Sequence, residues 1–177
     1  MKKIHVLTLA LLVLLTSAFT VSILWKADEK TSTVNFEGGG KKGTFGNLVS
    51  TINFDKTNLK DSKITASIDV KTLKAGNERL NAHLLSPDFF DAEKFPKITF
   101  TSTEITGFGN GFLANGTLHM KDSTKVIELP FTFTEDGNDK ATFSGTMTVM
   151  AGDYGVMKKS KEGNDKVIVY LTVPVTK

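Results

Sequence analysis

From Ile64 to the end, the chain alternates apolar and polar residues with a period of two, broken once by a stretch of helical spacing. A period of two sends successive side chains to opposite faces of a strand, so each run buries one face and wets the other. Ile64, Ala66, Ile68 and Val70 open the pattern. Ile98, Phe100 and Ser102 resume it after the break. Phe112, Ala114, Gly116, Leu118 and Met120 follow, then Ile127, Leu129, Phe131 and Phe133. Ala141, Phe143, Gly145, Met147 and Val149 come next, and Val167, Val169, Leu171, Val173 and Val175 close the chain. Upstream, Val34 and Phe36 alternate before Gly38-Gly39-Gly40. Phe45, Ile52 and Phe54 form a second region broken near Gly46-Asn47. Gly109-Asn110-Gly111 and Asp136-Gly137-Asn138-Asp139 read as turns, and Lys158 to Lys166 as a charged loop. The sum is an all-β chain of about eight strands spaced roughly ten residues apart, which suits a sandwich or an antiparallel barrel. A barrel is favoured. Its inward faces mix bulky Phe with Ala114, Gly116 and Gly145, which leaves space, and about eight strands enclose room for one small ligand.

The break runs from Gly76 to Phe100. Leu80 and Leu84 sit four apart on one helical face. Ser86-Pro87-Asp88 reads as a helix start, with a serine N-cap, proline at the first helical position and an acid in the first turn. Phe89 and Phe90 follow at once. Pro96 ends the unit and Lys97 opens a strand. A short helical segment over residues 77–91 carrying paired aromatics beside a sheet suggests a lid on an apolar container.

This segment resembles the signature of the YceI-like family of periplasmic, lipid- or polyisoprenoid-binding proteins. The matching residues are Arg79, His83, Leu84, Ser86, Asp88, Phe89, Phe90, Asp91, Phe95, Pro96, Ile98, Thr99, Phe100 and Ser102. Further matches are Trp25, Ser32 to Phe36, Gly43-Thr44-Phe45, Ile52 to Asp55, Gly116-Thr117-Leu118 and Asp153 to Val156, so the likeness spans residues 25–177. The family usually carries an arginine shortly before the Asp-aromatic-Gly element, where this chain has Ala151. The resemblance implies an extended, lipocalin-like antiparallel barrel of eight strands with a helical segment at one end. It also implies a bound polyisoprenoid or isoprenoid quinone, and no other cofactor.

Residues 1–24 read as an export signal: Lys2 and Lys3, an apolar run from Val6 to Leu15, and a small-residue site at Thr16-Ser17-Ala18. Ile4 to Leu24 is 21 residues, long enough to span a bilayer, so a retained anchor is the alternative to cleavage. The expected location is the bacterial periplasm, or another exported site. The chain has no cysteine, which excludes a lipoprotein anchor and leaves packing to hold the fold. Of the formal charge of +3, Lys2 and Lys3 account for two. No basic cluster alternates with aromatics, so nucleic acid is not an expected partner. The expected partners are a long-chain isoprenoid lipid and, transiently, a membrane, for a monomer or a homodimer.

The candidate ligand contacts follow from these patterns. Phe36, Phe45, Phe54, Phe100, Phe112, Phe131, Phe133 and Phe143 fall on apolar strand faces, together with Ile68, Leu118 and Met147. A packed core would place each of them the same way. Strands of nine to eleven residues are too long for one face of side chains to fill, which argues for a tunnel. Leu80, His83, Leu84, Phe89 and Phe90 form the lid. Each buried methylene is worth about 0.8 kcal/mol, so one isoprene unit contributes up to about 4 kcal/mol before ordering costs. Hydrophobic contact alone can therefore hold a long chain. His83 serves either as a lid hydrogen bond or as a head-group contact; His119, between Leu118 and Met120, points outward. Two histidines with no cysteine make no metal site. Arg79 and an acid near the lid form a structural pair, or Arg79 meets a phosphate or quinone oxygen. Asp88 is assigned to a first helical turn, and Asp153 to a turn. No G-x-S-x-G, H-E-x-x-H, P-loop or G-x-G-x-x-G motif occurs, so no catalytic residue is assigned. The expected function is carriage, storage or sequestration of the lipid. The alternatives are an enzyme acting on such a lipid with His83 as acid or base, and a ligand-free envelope module with a solid core.

Overall fold

The computed structural model describes residues 23–177. The export signal lies outside them up to residue 22. Ile23 and Leu24 belong to the sheet: the Ile23 carbonyl accepts from Phe54 N at 3.0 Å, and Leu24 pairs with Asn53.

The alternating runs form strands β1 (Leu24–Ala27), β2 (Thr33–Gly38), β3 (Lys41–Phe45), β4 (Val49–Asn53) and β5 (Lys63–Asp69). A helix, α1 (Glu78–Leu85), follows. Then come β6 (Lys97–Phe108), β7 (Gly111–Met120), β8 (Ser123–Glu135), β9 (Lys140–Met150) and β10 (Lys166–Thr176). Every ladder is antiparallel. β4 to β10 pair in chain order, and β1 joins β4 to β10 through Lys26↔Thr176 and Ala27↔Val175, which closes the ring. β10 also pairs with β2 from Thr172↔Thr33 to Val167↔Gly38, and β3 pairs with β2. β1 and β2 are therefore two halves of one bent strand, and β3 and β4 two halves of its neighbour. The result is an up-and-down barrel with eight strand positions, as the alternation and the family resemblance lead one to expect. The β2–β3, β7–β8 and β9–β10 connections and α1 gather at one end, and the β4–β5, β6–β7 and β8–β9 connections at the other.

Local chemistry explains the irregular places. Ser102 pairs with Gly116 and Glu104 with Asn115, so Thr103 is an extra residue in β6. This bulge switches the inward register from Ile98, Phe100 and Ser102 to Ile105, all of them buried. The Ser102 hydroxyl sits where the β5–β6 ladder stops and accepts from Ile64 N at 2.8 Å. The β3 edge away from β2 is nearly bare. Thr44 and Lys74 exchange two backbone hydrogen bonds of 2.9 Å there, and the Thr72 hydroxyl accepts from Gly46 N at 2.8 Å. Gly109 turns the β6–β7 hairpin at φ +55°, a left-handed conformation that suits glycine.

The helical interruption departs from expectation at its second half. Asn77 caps α1 by accepting from Leu80 N at 2.9 Å. Ser86 does not begin a helix; it ends this one, with φ −68° and ψ 167°. Pro87 is the cause, because the ring of a proline disfavours helical backbone in the residue before it. Residues 86–91 instead make a tight turn, in which Phe89 N and Asp91 N both donate to the Ser86 carbonyl. Asp88 therefore occupies no first helical turn.

Candidate functional site

Inside the barrel, inward side chains enclose a cavity in two chambers. The larger, of about 340 Å³, lies under α1 at the connection-rich end. The smaller, of about 110 Å³, lies deeper. Val34, Ile68, Ile98, Leu118 and Met147 line both and form the waist between them. The inner chamber adds Leu48, Ile52, Ile64, Ala66, Phe100, Leu129, Phe131, Phe143, Gly145, Leu171 and Val173, with the polar residues Ser50, Ser67 and Thr99; the Ser50 hydroxyl is buried without a hydrogen-bond partner. The outer one adds Phe36, Phe45, Met120, Val149, Met157, Val167 and Val169, with Leu80, His83, Leu84, Phe89 and Phe90 from the lid. Along β10 the walls run from Val167 to Val173, six steps of about 3.3 Å each.

Below the inner chamber the barrel is solid. Phe54, 1% exposed, touches the rings of Phe112, Phe131, Phe133 and Phe143 at centroid distances of 5.0, 5.6, 5.0 and 5.3 Å. Trp25 adds an edge contact to Phe133 at 5.2 Å, and its indole N–H donates to the Phe54 carbonyl at 2.9 Å. Such edge-on pairs match the ring quadrupoles. This cluster corrects the expectation that every strand phenylalanine faces the tunnel: Phe54, Phe112 and Phe133 border neither chamber and form a plug. Phe36, Phe45, Ile68, Leu80, His83, Leu84, Phe89, Phe90, Phe100, Leu118, Phe131, Phe143 and Met147 all line the cavity. The small residues also behave differently from expectation. Ala114 is fully buried away from the cavity, and the Phe100 ring covers the space over Gly116, where a Cβ would come within 2.6 Å of it. Of these three, Gly145 alone opens onto the inner chamber, where Ala66 joins it.

The lid is fastened by residues that carried no sequence signal. Lys121, in the β7–β8 turn at φ +54°, donates to the Phe89 carbonyl at 2.5 Å and to the Gly155 carbonyl at 2.9 Å. It thus ties the lid turn to the start of the β9–β10 connection across the cavity mouth. His83 is exposed at the rim, with its ring 4.5 Å from that of Phe89. His119 is exposed as expected and meets Thr124 Oγ1 at 2.9 Å. Among the described residues, no group of three His, Cys, Asp or Glu side chains converges to hold a metal. Lys121→Met keeps the stem and removes both bonds. It is expected to leave Tm within a few degrees of wild type, while backbone amide exchange over residues 86–91 rises by roughly tenfold. Unchanged exchange there would show that the strap does not hold the lid.

A model of the YceI-like domain matches residues 25–176. The chain belongs to the YceI-like family. It is 33% identical over 121 residues to a UPF0312 protein of Vibrio parahaemolyticus and 31% identical over 121 residues to one of Vibrio cholerae. Each match covers 65% of this chain and 64% of the relative, so it spans a little under two thirds of those proteins. Among solved structures, BcnA of Burkholderia cenocepacia superposes with TM-score 0.79 at 22% identity, over 85% of this chain and 100% of that one. The YceI protein of Campylobacter jejuni gives 0.67 at 24% identity, over 76% and 84%. A polyisoprenoid binding domain from Saccharophagus degradans gives 0.62 at 14%, over 86% and 97%. At these identities the solved structures speak for the fold.

In this YceI-like barrel Ala151 is buried and contributes its small side chain to the mouth wall. Its backbone N–H donates to the Asp165 carbonyl at 2.9 Å. The Asp165 carboxylate is 1% exposed and neither oxygen has a hydrogen-bond partner; the Tyr154 hydroxyl is likewise buried and unpartnered. Outside them, Lys159 donates to Asp153 at 2.5 Å; this bond lowers the pKa of the acid and raises that of the lysine. Burial, reinforced by the Asp153 charge, pushes the Tyr154 phenol from 10.0 up to about 12. A proton held more tightly in the folded state stabilises it fully below pH 10, and that stability fades as the pH rises toward 12. Up to about 2–3 kcal/mol is at stake. Tyr154→Phe loses no hydrogen bond, so it should match wild type at pH 7 and show a shallower fall in Tm above pH 10. Parallel pH profiles for the two proteins would rule out Tyr154 as the source.

Proposed function

We propose that this protein binds a long-chain apolar lipid, a polyisoprenoid or an isoprenoid quinone, and carries, stores or sequesters it in the periplasm. The observation that supports this most is the two-chambered cavity: its walls are almost wholly apolar side chains and it runs from a lid to an aromatic plug. Together the chambers fall within the roughly 300–1,000 Å³ typical of small-molecule sites. Such walls fit a hydrocarbon chain, at up to about 4 kcal/mol for each enclosed isoprene unit. The plug sets how far the chain can enter. The neighbour from Saccharophagus degradans, described as a polyisoprenoid binding domain, shares the fold and is consistent with this reading. The apolar N-terminal run after Lys2 and Lys3 supports export.

Binding without turnover is the simpler reading of the mouth. His83 lies against the Phe89 ring, a packing contact that suits a lid. The cavity also disfavours a module with a solid core. Native mass spectrometry of the purified protein, followed by solvent extraction, tests the proposal. A stoichiometric isoprenoid is expected. A protein that is empty and takes up neither added quinone nor added polyprenol would overturn it.

A further inference from the structure

The outer chamber lies under the lid, and the basic residues of the barrel are concentrated around that end. The mouth-end segments, residues 37–42, 69–97, 121–125 and 153–166, hold thirteen Lys and Arg against ten Asp and Glu. The rest of residues 23–177 hold seven against nine. The excess is densest where the β2–β3 turn and the β9–β10 connection stand side by side, joined by the Gly38↔Val167 pair. Lys41, Lys42, Lys158, Lys159, Lys161 and Lys166 are all exposed there. Glu37 pairs with Lys42 and Asp153 with Lys159, while Asp165 is buried beneath them. Of the acids in this corner, only Glu162 is exposed without a lysine partner. The same two connections supply Gly38, Gly39, Lys41, Val156 and Met157 to the mouth chamber, so the basic corner is also part of the cavity rim.

We propose that this rim docks the open end of the barrel onto an anionic phospholipid surface, with Lys41, Lys42, Lys158 and Lys161 facing the headgroups. The proposal rests on the lipid-binding reading. A ligand of this class does not cross water freely: each methylene exposed costs about a fourfold shift in equilibrium. Transfer is therefore fastest where the cavity mouth meets the bilayer. Each lysine brought to an anionic leaflet contributes about a fivefold gain in binding, within a Debye length of about 8 Å. The rest of the barrel, with seven basic residues to nine acidic ones, gains nothing from such a surface, so the basic rim alone orients the barrel mouth-down. Met157, half-buried on the rim, is placed to enter the interface beside the lysines.

The test is co-sedimentation of the purified protein with phosphatidylcholine vesicles, with and without phosphatidylglycerol, across a salt series. One variant reverses the rim: Lys41→Glu, Lys42→Glu, Lys158→Glu and Lys161→Glu. A control reverses the same number of charges away from the mouth: Lys30→Glu, Lys60→Glu, Lys63→Glu and Lys140→Glu. The N-terminal apolar run is common to all three proteins, so any binding by it cancels in the comparison. Wild type and control are expected to bind phosphatidylglycerol vesicles alike and to release them as salt rises; the rim variant, short of four such lysines, is expected to lose roughly six-hundredfold or more in affinity. Equal loss in the control, no loss in the rim variant, or indifference to phosphatidylglycerol would each overturn the docking proposal. Quinone uptake from neutral detergent micelles is measured in parallel. Normal uptake without vesicle preference sinks the docking alone. Rim-dependent vesicle binding without uptake sinks the lipid-binding reading alone.

Discussion

Met147→Trp is expected to leave the barrel folded and to weaken the binding of a long isoprenoid by roughly a hundredfold to a thousandfold. Met147 is half-buried at the waist, opposite Val34, Ile68, Ile98 and Leu118, and faces both chambers. An indole there fills empty space rather than displacing packed neighbours, so the usual cost of overpacking, about 1–3 kcal/mol, is an upper bound on the stability lost. What it removes is the path from the outer chamber to the inner one. The inner chamber offers burial for about one isoprene unit, at most about 4 kcal/mol, or nearly three powers of ten in affinity. A ligand short enough for the outer chamber should bind as before. Titration of a short and a long polyprenol into both proteins reads this directly. Equal affinity of wild type and variant for the long chain would mean that no ligand passes the waist.

Phe54→Ala should have the opposite profile, a large loss of stability with little direct effect on the ligand. Phe54 is 1% exposed and central to a cluster of four other phenylalanines, and it lies outside the cavity. Truncating a phenylalanine in such a site costs about 3–5 kcal/mol, from lost transfer energy and from the hole left behind. Phe36→Ala is the contrast. Phe36 borders the outer chamber and already has empty space on one side, so fewer contacts are lost. Urea unfolding of the two variants should separate them by about 2 kcal/mol or more. If they prove equal, the plug is no better packed than the tunnel wall.

The alternation in the sequence carried most of the fold, because a closed sheet with one wet and one dry face leaves a period of two in nearly every strand. It named the inward residues of β5 to β10, and the cavity wall is drawn from among them. It could not distinguish wall from plug. Phe54 and Phe100 both sit on apolar faces, yet one seals the floor and the other lines the inner chamber, and the difference lies in depth along the barrel axis. Val167 and Val169 were legible as inward residues but were not assigned to the site. Met157 was not legible, since the charged connection around it has no periodicity. Lys121 was hidden for a different reason: its role comes from two backbone carbonyls, which leave no trace in residue type. The misplaced helix start at Ser86 shows one local signal with two structural outcomes. Extended backbone before a proline suits the start of one helix and the end of another equally, and here Ser86 closes α1 while residues 86–91 turn back on its carbonyl.

The bent pair of strands has a mechanical meaning. Below the bend, β1 pairs on both sides, with β4 and with β10, and stands over packed aromatic rings. Above it, the outer edge of β3 is held by the Thr44–Lys74 bridge and the Thr72 hydroxyl alone. The barrel is thus a stiff cup with an adjustable collar. Spreading the collar breaks two or three hydrogen bonds, whereas widening the cup would also pull apart the packed rings of the plug. Girth at the mouth can therefore adapt to what enters, while reach into the cup is fixed, so such a container would discriminate by length more sharply than by thickness.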